Sequence, residues 1–402
     1  MQELIRGLIQ KNNSKIFMVV LDGLGGLPVN GKTELEAART PNLDSLSKRS
    51  ATGLHIPVSY GITPGSGPGH LGIFGYDPRK WLIGRGVLEA LGLGIELKDT
   101  DVAIRCNYAT IREGMVKDRR AGRIPTENSK KLTARLQDEI NQIDEAEIIF
   151  AAGLEHRFAV IFRFPEPLEA GSDNINDTDP QKDGRQPLKP VPGNHQSERV
   201  ARVAEKLIER AKEILRDEEK ANYILLRGIS QVPSIPSFED IFGLRALAVA
   251  VYPMYRGLAR LVGMDTPPLN GDIKEELDFL KENLSEYDFF FMHVKKVDSY
   301  GEDGNFEGKA RKIEEFDSYV PDILELAPDV LIVTGDHATP AVMREHSWHP
   351  VPVMIHAPYV LGGLSEAFTE RECLRGELGI FPAYNILPLA LANAGRLKKY
   401  GA

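Results

Sequence analysis

Runs of consecutive apolar residues recur along the chain and alternate with helical periodicity. Residues 15–21 read KIFMVVL and stop at Asp22-Gly23. A short unbroken apolar run that ends in a turn signal predicts a buried parallel strand, here delivering an aspartate to a loop. Comparable runs at 103–110, 158–163, 222–227, 246–252, 288–294, 329–334 and 351–356 predict further strands. Between them, Val200, Val203, Leu207, Ala211, Ile214 and Leu215 follow the spacing of one helical stripe, as do Ile273, Leu277, Leu280 and Leu284. Alternating strands and helices predict an α/β fold with largely parallel sheets.

The strands ending at Asp22, at 294–298 and at Gly335-Asp336 all place carboxylates just past their C-terminal ends. Open α/β sheets bind ligands at that edge. The middle of the chain has its own strands and helices but few such acids. The expected organisation is therefore a core made of residues 1–95 and 270–402, with an α/β domain of residues 96–269 inserted between its halves. Within the insert, residues 171–193 are rich in Asp, Asn, Pro and Gly and predict an exposed, mobile loop.

At 402 residues the chain is long for one core, which fits two domains. With 49 basic against 58 acidic residues the formal charge is −9, and no long basic run occurs. Nucleic acid and anionic membrane need a concentrated positive face, so neither is an expected partner. An acidic protein that handles an anion needs local positive charge from arginine or a bound metal. Only Cys106 and Cys373 are present, too few and too separated for a disulfide framework or a thiolate metal site. The charged N-terminal stretch does not read as a signal peptide, and no apolar run approaches the roughly 18 residues of a membrane span. A cytoplasmic location is expected.

Four segments carry candidate chemistry. They are Val20-Leu21-Asp22-Gly23-Leu24-Gly25-Gly26; Thr63-Pro64-Gly65-Ser66-Gly67-Pro68-Gly69-His70-Leu71; His293-Val294-Lys295-Lys296-Val297-Asp298-Ser299-Tyr300-Gly301-Glu302-Asp303; and Thr334-Gly335-Asp336-His337-Ala338-Thr339-Pro340 with Glu345-His346-Ser347-Trp348-His349. Oxygen and imidazole ligands without thiolate suit Mn²⁺, Mg²⁺, Zn²⁺ or Co²⁺. Asp336 and His337, adjacent on a turn, can face one cation, and His346 can return to a neighbouring one. Two close cations clamp a phosphoryl group and lower a nucleophile's pKa. Ser66, in a Gly/Pro turn where a helix can begin, is the candidate nucleophile. Taken singly, each segment has a bland reading: Asp-Gly is a common turn, Gly-Ser-Gly a common loop, and Asp-His a helix cap with a surface histidine. Their joint occurrence in this order carries the functional reading. His55, His70 and His195 receive no role.

In this order the four segments, with Ala38-Arg39-Thr40-Pro41-Asn42-Leu43-Asp44, resemble the alkaline-phosphatase superfamily. Gly65-Ser66, His70-Leu71, Gly75-Tyr76-Asp77-Pro78 and Asn305-Phe306-Glu307-Gly308-Lys309 are similar to its archaeal-type cofactor-independent phosphoglycerate mutases. The resemblance implies an alkaline-phosphatase-like core and two divalent ions, Mn²⁺ foremost, with no bisphosphoglycerate. One ion would be held by Asp22, Ser66, Asp336 and His337. The other would be held by Asp298, His346 and the residue four after Asp298. That position is histidine in the family and Glu302 here, which suits Mn²⁺ or Mg²⁺ but adds negative charge opposed to a phosphoryl group. Alternatively Glu302 points away, and water or His349 completes the set.

The resemblance further implies that 2- and 3-phosphoglycerate interconvert through a phosphoserine at Ser66, so the expected partner is a small phosphorylated three-carbon acid. Asp118-Arg119-Arg120-Ala121-Gly122-Arg123 is similar to the family's substrate-binding arginines. Arg119 and Arg123 are thus candidates for holding the substrate, with His156 and Arg157 a weaker pair. The alternative is another phosphotransferase or phosphohydrolase on the same core, such as a small-metabolite kinase-like enzyme. A non-catalytic metal-binding protein is a third reading, and homo-oligomer formation is left open.

Overall fold

The computed structural model describes residues 2–269 and 271–401. The chain divides into two compact units, one formed by the residues up to Leu82 with those from Ile235 onward, the other by Ile83–Ser234. The insert thus begins at 83 and ends at 234, not at 96 and 269. Two placements explain the shift. Ala246–Val249 pairs parallel with Phe289–Val294 and so belongs to the core sheet, while the Arg85–Gly92 helix packs on Asp101–Arg112 of the insert. The anticipated break at Asn270 falls outside the described residues.

The first unit is built on seven strands in the order Gly379–Pro382, Ala51–Ile56, Val351–His356, Val330–Thr334, Ile16–Leu21, Phe289–Val294 and Ala246–Val249. Only Val351–His356 runs against the others. All six residues of Ile16–Leu21 are buried, as are all six of Phe289–Val294 and all five of Val330–Thr334. A central parallel strand is covered on both faces, which is why its sequence is apolar at every position rather than at alternate ones. Register sets Leu21 opposite Val294 and Val20 opposite Thr334, so three acid-bearing loops leave the sheet at one level.

The second unit carries six strands: Asp101–Arg112, Met115–Asp118, Gln142–Ile143, Ala146–Ala152, Arg157–Arg163 and Tyr223–Gln231. Every pairing among them is antiparallel, contrary to the largely parallel sheets expected throughout. Tight turns join neighbours here, as between Ala146–Ala152 and Arg157–Arg163, and hairpins force antiparallel pairing. Val200, Val203, Leu207, Ala211 and Leu215 of the Glu198–Leu215 helix are buried in this unit's core, as their spacing predicts. Each large apolar side chain so buried contributes about 1.5–3 kcal/mol. The 171–193 segment is pinned rather than loose. Thr178 Oγ1 accepts from Leu226 N–H, Thr178 N–H donates to Leu226 O, and Asp179 is buried. Among the described residues, no helix is long and apolar enough to cross a membrane.

Glu276 tests the energetics of the first unit. It is buried in the Ile273–Asn283 helix, and burial, reinforced by Asp272 and Glu275, raises its carboxyl from 4.5 to about 8. Between these values the folded chain keeps a proton that the unfolded chain has released. Its contribution is thus complete below 4.5 and lost as pH rises through about 8. Glu276→Gln abolishes that loss, so its thermal midpoint relative to the parent rises between about pH 5 and about pH 9. A difference that stays constant across that range contradicts the assignment.

Candidate active site

Five parallel strands deliver the site. Ile16–Leu21 leads to Asp22, Phe289–Val294 to Lys295 and Asp298, and Val330–Thr334 to Asp336 and His337. The loop after Ala51–Ile56 leads to Ser66, the first residue of the Ser66–Ile73 helix. Ala246–Val249 leads into the Pro253–Leu261 helix, which carries Tyr255. His346 lies in the connection between Val330–Thr334 and Val351–His356.

Asp22, Asp336 and His337 are fully buried, and one ligand atom from each lies within 4.8 Å of the others. Asp22 Oδ1, Asp336 Oδ2 and His337 Nε2 have no hydrogen-bond partner, although His337 Nε2 is 3.4 Å from Asp22 and 3.2 Å from Asp336. Buried polar atoms are ordinarily satisfied, so three orphaned atoms aimed at one point fit a cation. In a second group, one ligand atom each from Asp298, His337 and His346 likewise lies within 4.8 Å of the others. Thr339 fixes both groups, its hydroxyl donating to Asp298 Oδ1 at 2.8 Å and lying 3.0 Å from His337 Nδ1. That leaves His337 Nε2 for the first group. Lys295 bridges the two groups, its Nζ 2.9 Å from Asp22 and 2.6 Å from Asp298.

Burial, with Asp336 and Asp298 nearby, raises the Asp22 carboxyl well above its usual range. For Asp336 burial works the same way, but the imidazoles of His337 and His70 outweigh it and hold the group low. Burial lowers His337 to about 4, so its ring is neutral near pH 7, as a metal ligand must be. Burial opposes the Lys295 charge, yet the Asp22 and Asp298 carboxylates prevail and keep it protonated. Ionising all three carboxyls beside one ammonium calls for further positive charge, which a divalent cation would supply.

The Ser66 turn is tied to this cluster. His346 Nδ1 lies 3.0 Å from Pro64 O, and its ring stacks on His337 with centroids 3.7 Å apart. The Tyr255 hydroxyl donates to Asp22 Oδ2 at 2.5 Å. Glu302 stands at the rim. Its Oε1 is 3.8 Å from His346 Nε2, its side chain is 56% exposed, and it joins neither convergent group. At that exposure water screens its charge, so the expected penalty on phosphoryl binding is small. His349 makes no closer approach than its own neighbour, with Nδ1 3.1 Å from Ser347 Oγ.

Several residues without an assigned role also converge here. His70 is fully buried, with Nδ1 3.1 Å from Asp336 and 2.9 Å from Ser66 O. His293 Nε2 is 3.6 Å from Asp22. Lys295 and Thr339 lie inside the singled-out segments, so the signal was at hand. Tyr255 has no such motif; only the pairing of Ala246–Val249 beside Phe289–Val294 brings it in. His55, by contrast, is buried with Nε2 2.9 Å from Gly335 O, a structural support of the turn, and His195 is exposed.

The arginine candidates all lie on the insert. Arg119 forms a two-pronged pair with Asp179, Nε to Oδ1 at 2.6 Å and Nη2 to Oδ2 at 2.8 Å, so its guanidinium is already committed. Arg123 and Arg157 are exposed. His156 is buried, and burial together with Arg157, Arg120 and Arg123 lowers it to about 4. The structure thus groups Arg123, His156 and Arg157. A neighbouring set went unnoticed in the sequence. Half-buried Arg105 has its pKa lowered by burial and feels Arg157, Arg227 and Arg85, with Glu89 as its one opposing charge. These arginines come from three strands and the start of the Arg85–Gly92 helix, so no local motif marks them.

A largely parallel α/β sheet with buried carboxylates and imidazoles at its C-terminal edge defines an α/β enzyme with an oxygen- and nitrogen-ligand centre. Comparison with known proteins is more specific. The family profile described as 2,3-bisphosphoglycerate-independent phosphoglycerate mutase matches residues 47–221. A probable 2,3-bisphosphoglycerate-independent phosphoglycerate mutase from Aquifex aeolicus is 64% identical over 406 residues, covering 100% of both chains. The solved cofactor-independent phosphoglycerate mutase from Thermoplasma acidophilum superposes with a TM-score of 0.78 at 30% identity, over 95% of this chain and 100% of that one. A Pyrococcus horikoshii structure gives a TM-score of 0.80 at 30% identity, over 97% and 99%. The chain belongs to the 2,3-bisphosphoglycerate-independent phosphoglycerate mutase family and is an isomerase.

Gly69 measures how closely the serine helix sits against the Asp336 turn. A Cβ there would lie 2.6 Å from Asp336 O. Gly69→Ala therefore forces the two apart, costing about 1–3 kcal/mol of stability and lowering activity with it. A parental midpoint and parental turnover in this variant contradict the packing.

Proposed function

We propose that this chain interconverts 2- and 3-phosphoglycerate without bisphosphoglycerate, by way of a phosphoserine at Ser66, in cytoplasmic glycolysis and gluconeogenesis. The carrying observation is that His70 Nδ1 lies 3.1 Å from Asp336 and 2.9 Å from Ser66 O, which sets the Ser66 turn against the Asp22–Asp336–His337 group. Asp22, Asp336 and His337, with Ser66, would hold one divalent ion, and Asp298 and His346 a second, with Glu302 within reach at the rim. Mn²⁺ suits this oxygen-rich set with neutral imidazole. Bound there, the ions supply electrostatic stabilisation of the transferring phosphoryl group and a lowered serine pKa.

The remaining chemistry belongs to the chain. Ser66 Oγ bonds to phosphorus as the bond from phosphorus to the substrate's C2 or C3 oxygen breaks. The serine proton ends on that oxygen, leaving phosphoserine and glycerate. Reorientation presents glycerate's other hydroxyl, which takes the phosphoryl group and returns a proton to Ser66. Lys295, cationic and partly exposed between Asp22 and Asp298, offers positive charge to the phosphoryl oxygens. Arg123 and Arg157 of the insert offer the planar donors that a carboxylate or phosphate selects. Arg119, held by Asp179, serves this purpose by shaping the turn that carries Arg123. His156, neutral at its lowered pKa, serves as a hydrogen-bonding group and not as a charge.

Replacement of the nucleophile decides the matter. Ser66→Ala is expected to lower turnover by about four orders of magnitude or more while leaving the thermal midpoint in place. Chelation should silence the parent enzyme and Mn²⁺ should restore it. Retained mutase turnover in Ser66→Ala, or release of inorganic phosphate in place of the isomeric phosphoglycerate, contradicts the proposal.

A further inference from the structure

Thr339 belongs to neither convergent group, yet its hydroxyl touches Asp298, of the second, and His337, which is common to both. The residue is fully buried. Its Oγ1 donates to Asp298 Oδ1 at 2.8 Å and lies 3.0 Å from His337 Nδ1. Asp298 is paired through Oδ2 with Lys295 at 2.6 Å, and an ionised carboxylate only accepts. A hydroxyl has one proton, and here Asp298 receives it. Toward His337 the same oxygen can therefore only accept, so Nδ1 carries the ring hydrogen. In the neutral ring that a metal ligand requires, Nε2 then keeps its lone pair. That nitrogen has no hydrogen-bond partner and lies 3.4 Å from Asp22 and 3.2 Å from Asp336.

The hydroxyl can sort these partners because its own backbone is clamped. Thr339 N–H is shared between Gly25 O at 3.1 Å and Gly23 O at 3.3 Å, both in the Asp22 loop. Thr339 O accepts at 2.8 Å from buried Lys309, whose ammonium also holds Gly25 O at 3.0 Å. Glycines leave the room: a Cβ on Gly23 would lie 2.6 Å from Thr339 Oγ1, and one on Gly301 would overlap Thr339 O. Threonine hydroxyls in turns commonly bond to nearby backbone. Both partners of this one are side chains of the two groups.

We infer that Thr339 is a positioning residue for the metal centre: its hydroxyl holds His337 in the Nδ1–H form, which leaves Nε2 for the Asp22–Asp336 side, and fixes Asp298 beside it. This rests on the metal-dependent reading above, and the test separates the two. Thr339→Val exchanges the hydroxyl for a methyl group of similar size, and Thr339→Ser keeps it. Partners that orient ligand side chains are commonly worth about 10–100-fold in metal affinity. Equilibrium dialysis of the full-length proteins should therefore show Mn²⁺ binding weakened by about 10–100-fold in Thr339→Val. Thr339→Ser should bind close to the parent. Parental affinity in Thr339→Val, or equal weakening in both variants, overturns the inference.

A spectroscopic readout does not depend on the variants. Nitrogen-15 spectra of the metal-free parent report which ring nitrogen of His337 bears the hydrogen, and Nδ1 is expected. Hydrogen on Nε2 overturns the inference, and this measurement decides the matter should Thr339→Val fail to fold. A parent that binds no Mn²⁺ removes the metal-dependent reading and this inference with it. A parent that binds Mn²⁺ beside a Thr339→Val that binds it equally well removes this inference alone.

Discussion

The site depends on the crowding of desolvated carboxylates. Asp22 and Asp336 are fully buried, carry oxygens without partners, and sit with His337 inside one 4.8 Å group. Like charges so placed repel strongly in a medium of low polarity, and each has given up its hydration. Lys295 offsets part of this, and His70 and His337 shelter Asp336, but the Asp22 carboxyl is still raised well above its usual range. Such an arrangement is stable in company with a cation. That requirement is also what makes it useful, since charge stabilisation at a transferring phosphoryl group needs a centre already organised before the reaction.

Parallel strands meet this requirement with little local distortion. Adjacent strands in register end at the same height, so the loops that follow converge without long excursions. Antiparallel neighbours would have sent alternate loops to opposite edges. Behind the site, buried Lys309 donates to Gly25 O and Thr339 O, joining the Asp22 loop to the Asp336 turn from the rear. Glu34 accepts from Ala341 N–H and Glu370 from Gly26 N–H, so the backing is polar as well as rigid.

The central strands were legible in the sequence because burial on both faces writes itself as unbroken apolar runs. Ile16–Leu21, Phe289–Val294 and Val330–Thr334 are the clear cases. Ala51–Ile56 escaped notice because it reads ATGLHI, with Thr52 and His55 buried through hydrogen bonds instead of apolar packing. Strand direction in the insert was not legible either, since an apolar run does not say whether a hairpin or a crossover follows it. The same division holds at the site. Asp22, Ser66, Asp298, Asp336, His337 and His346 announce themselves through segments of dense polar and glycine residues. Tyr255 does not, because its place there arises from sheet order and pairing, which link positions far apart in the chain. Arg119 shows the converse: a guanidinium in a suggestive cluster is already paired with a buried aspartate from the 171–193 segment.

The claim on which all of this turns is that the convergent carboxylates and imidazoles hold cations beside Ser66. Anomalous diffraction at the manganese absorption edge, from crystals grown with Mn²⁺, locates such ions without reference to activity. The account predicts one peak among Asp22, Asp336 and His337, within coordinating reach of Ser66 Oγ, and a second beside Asp298 and His346. A map with no manganese between Asp22 and Asp336, in crystals that bind the metal elsewhere, would contradict it.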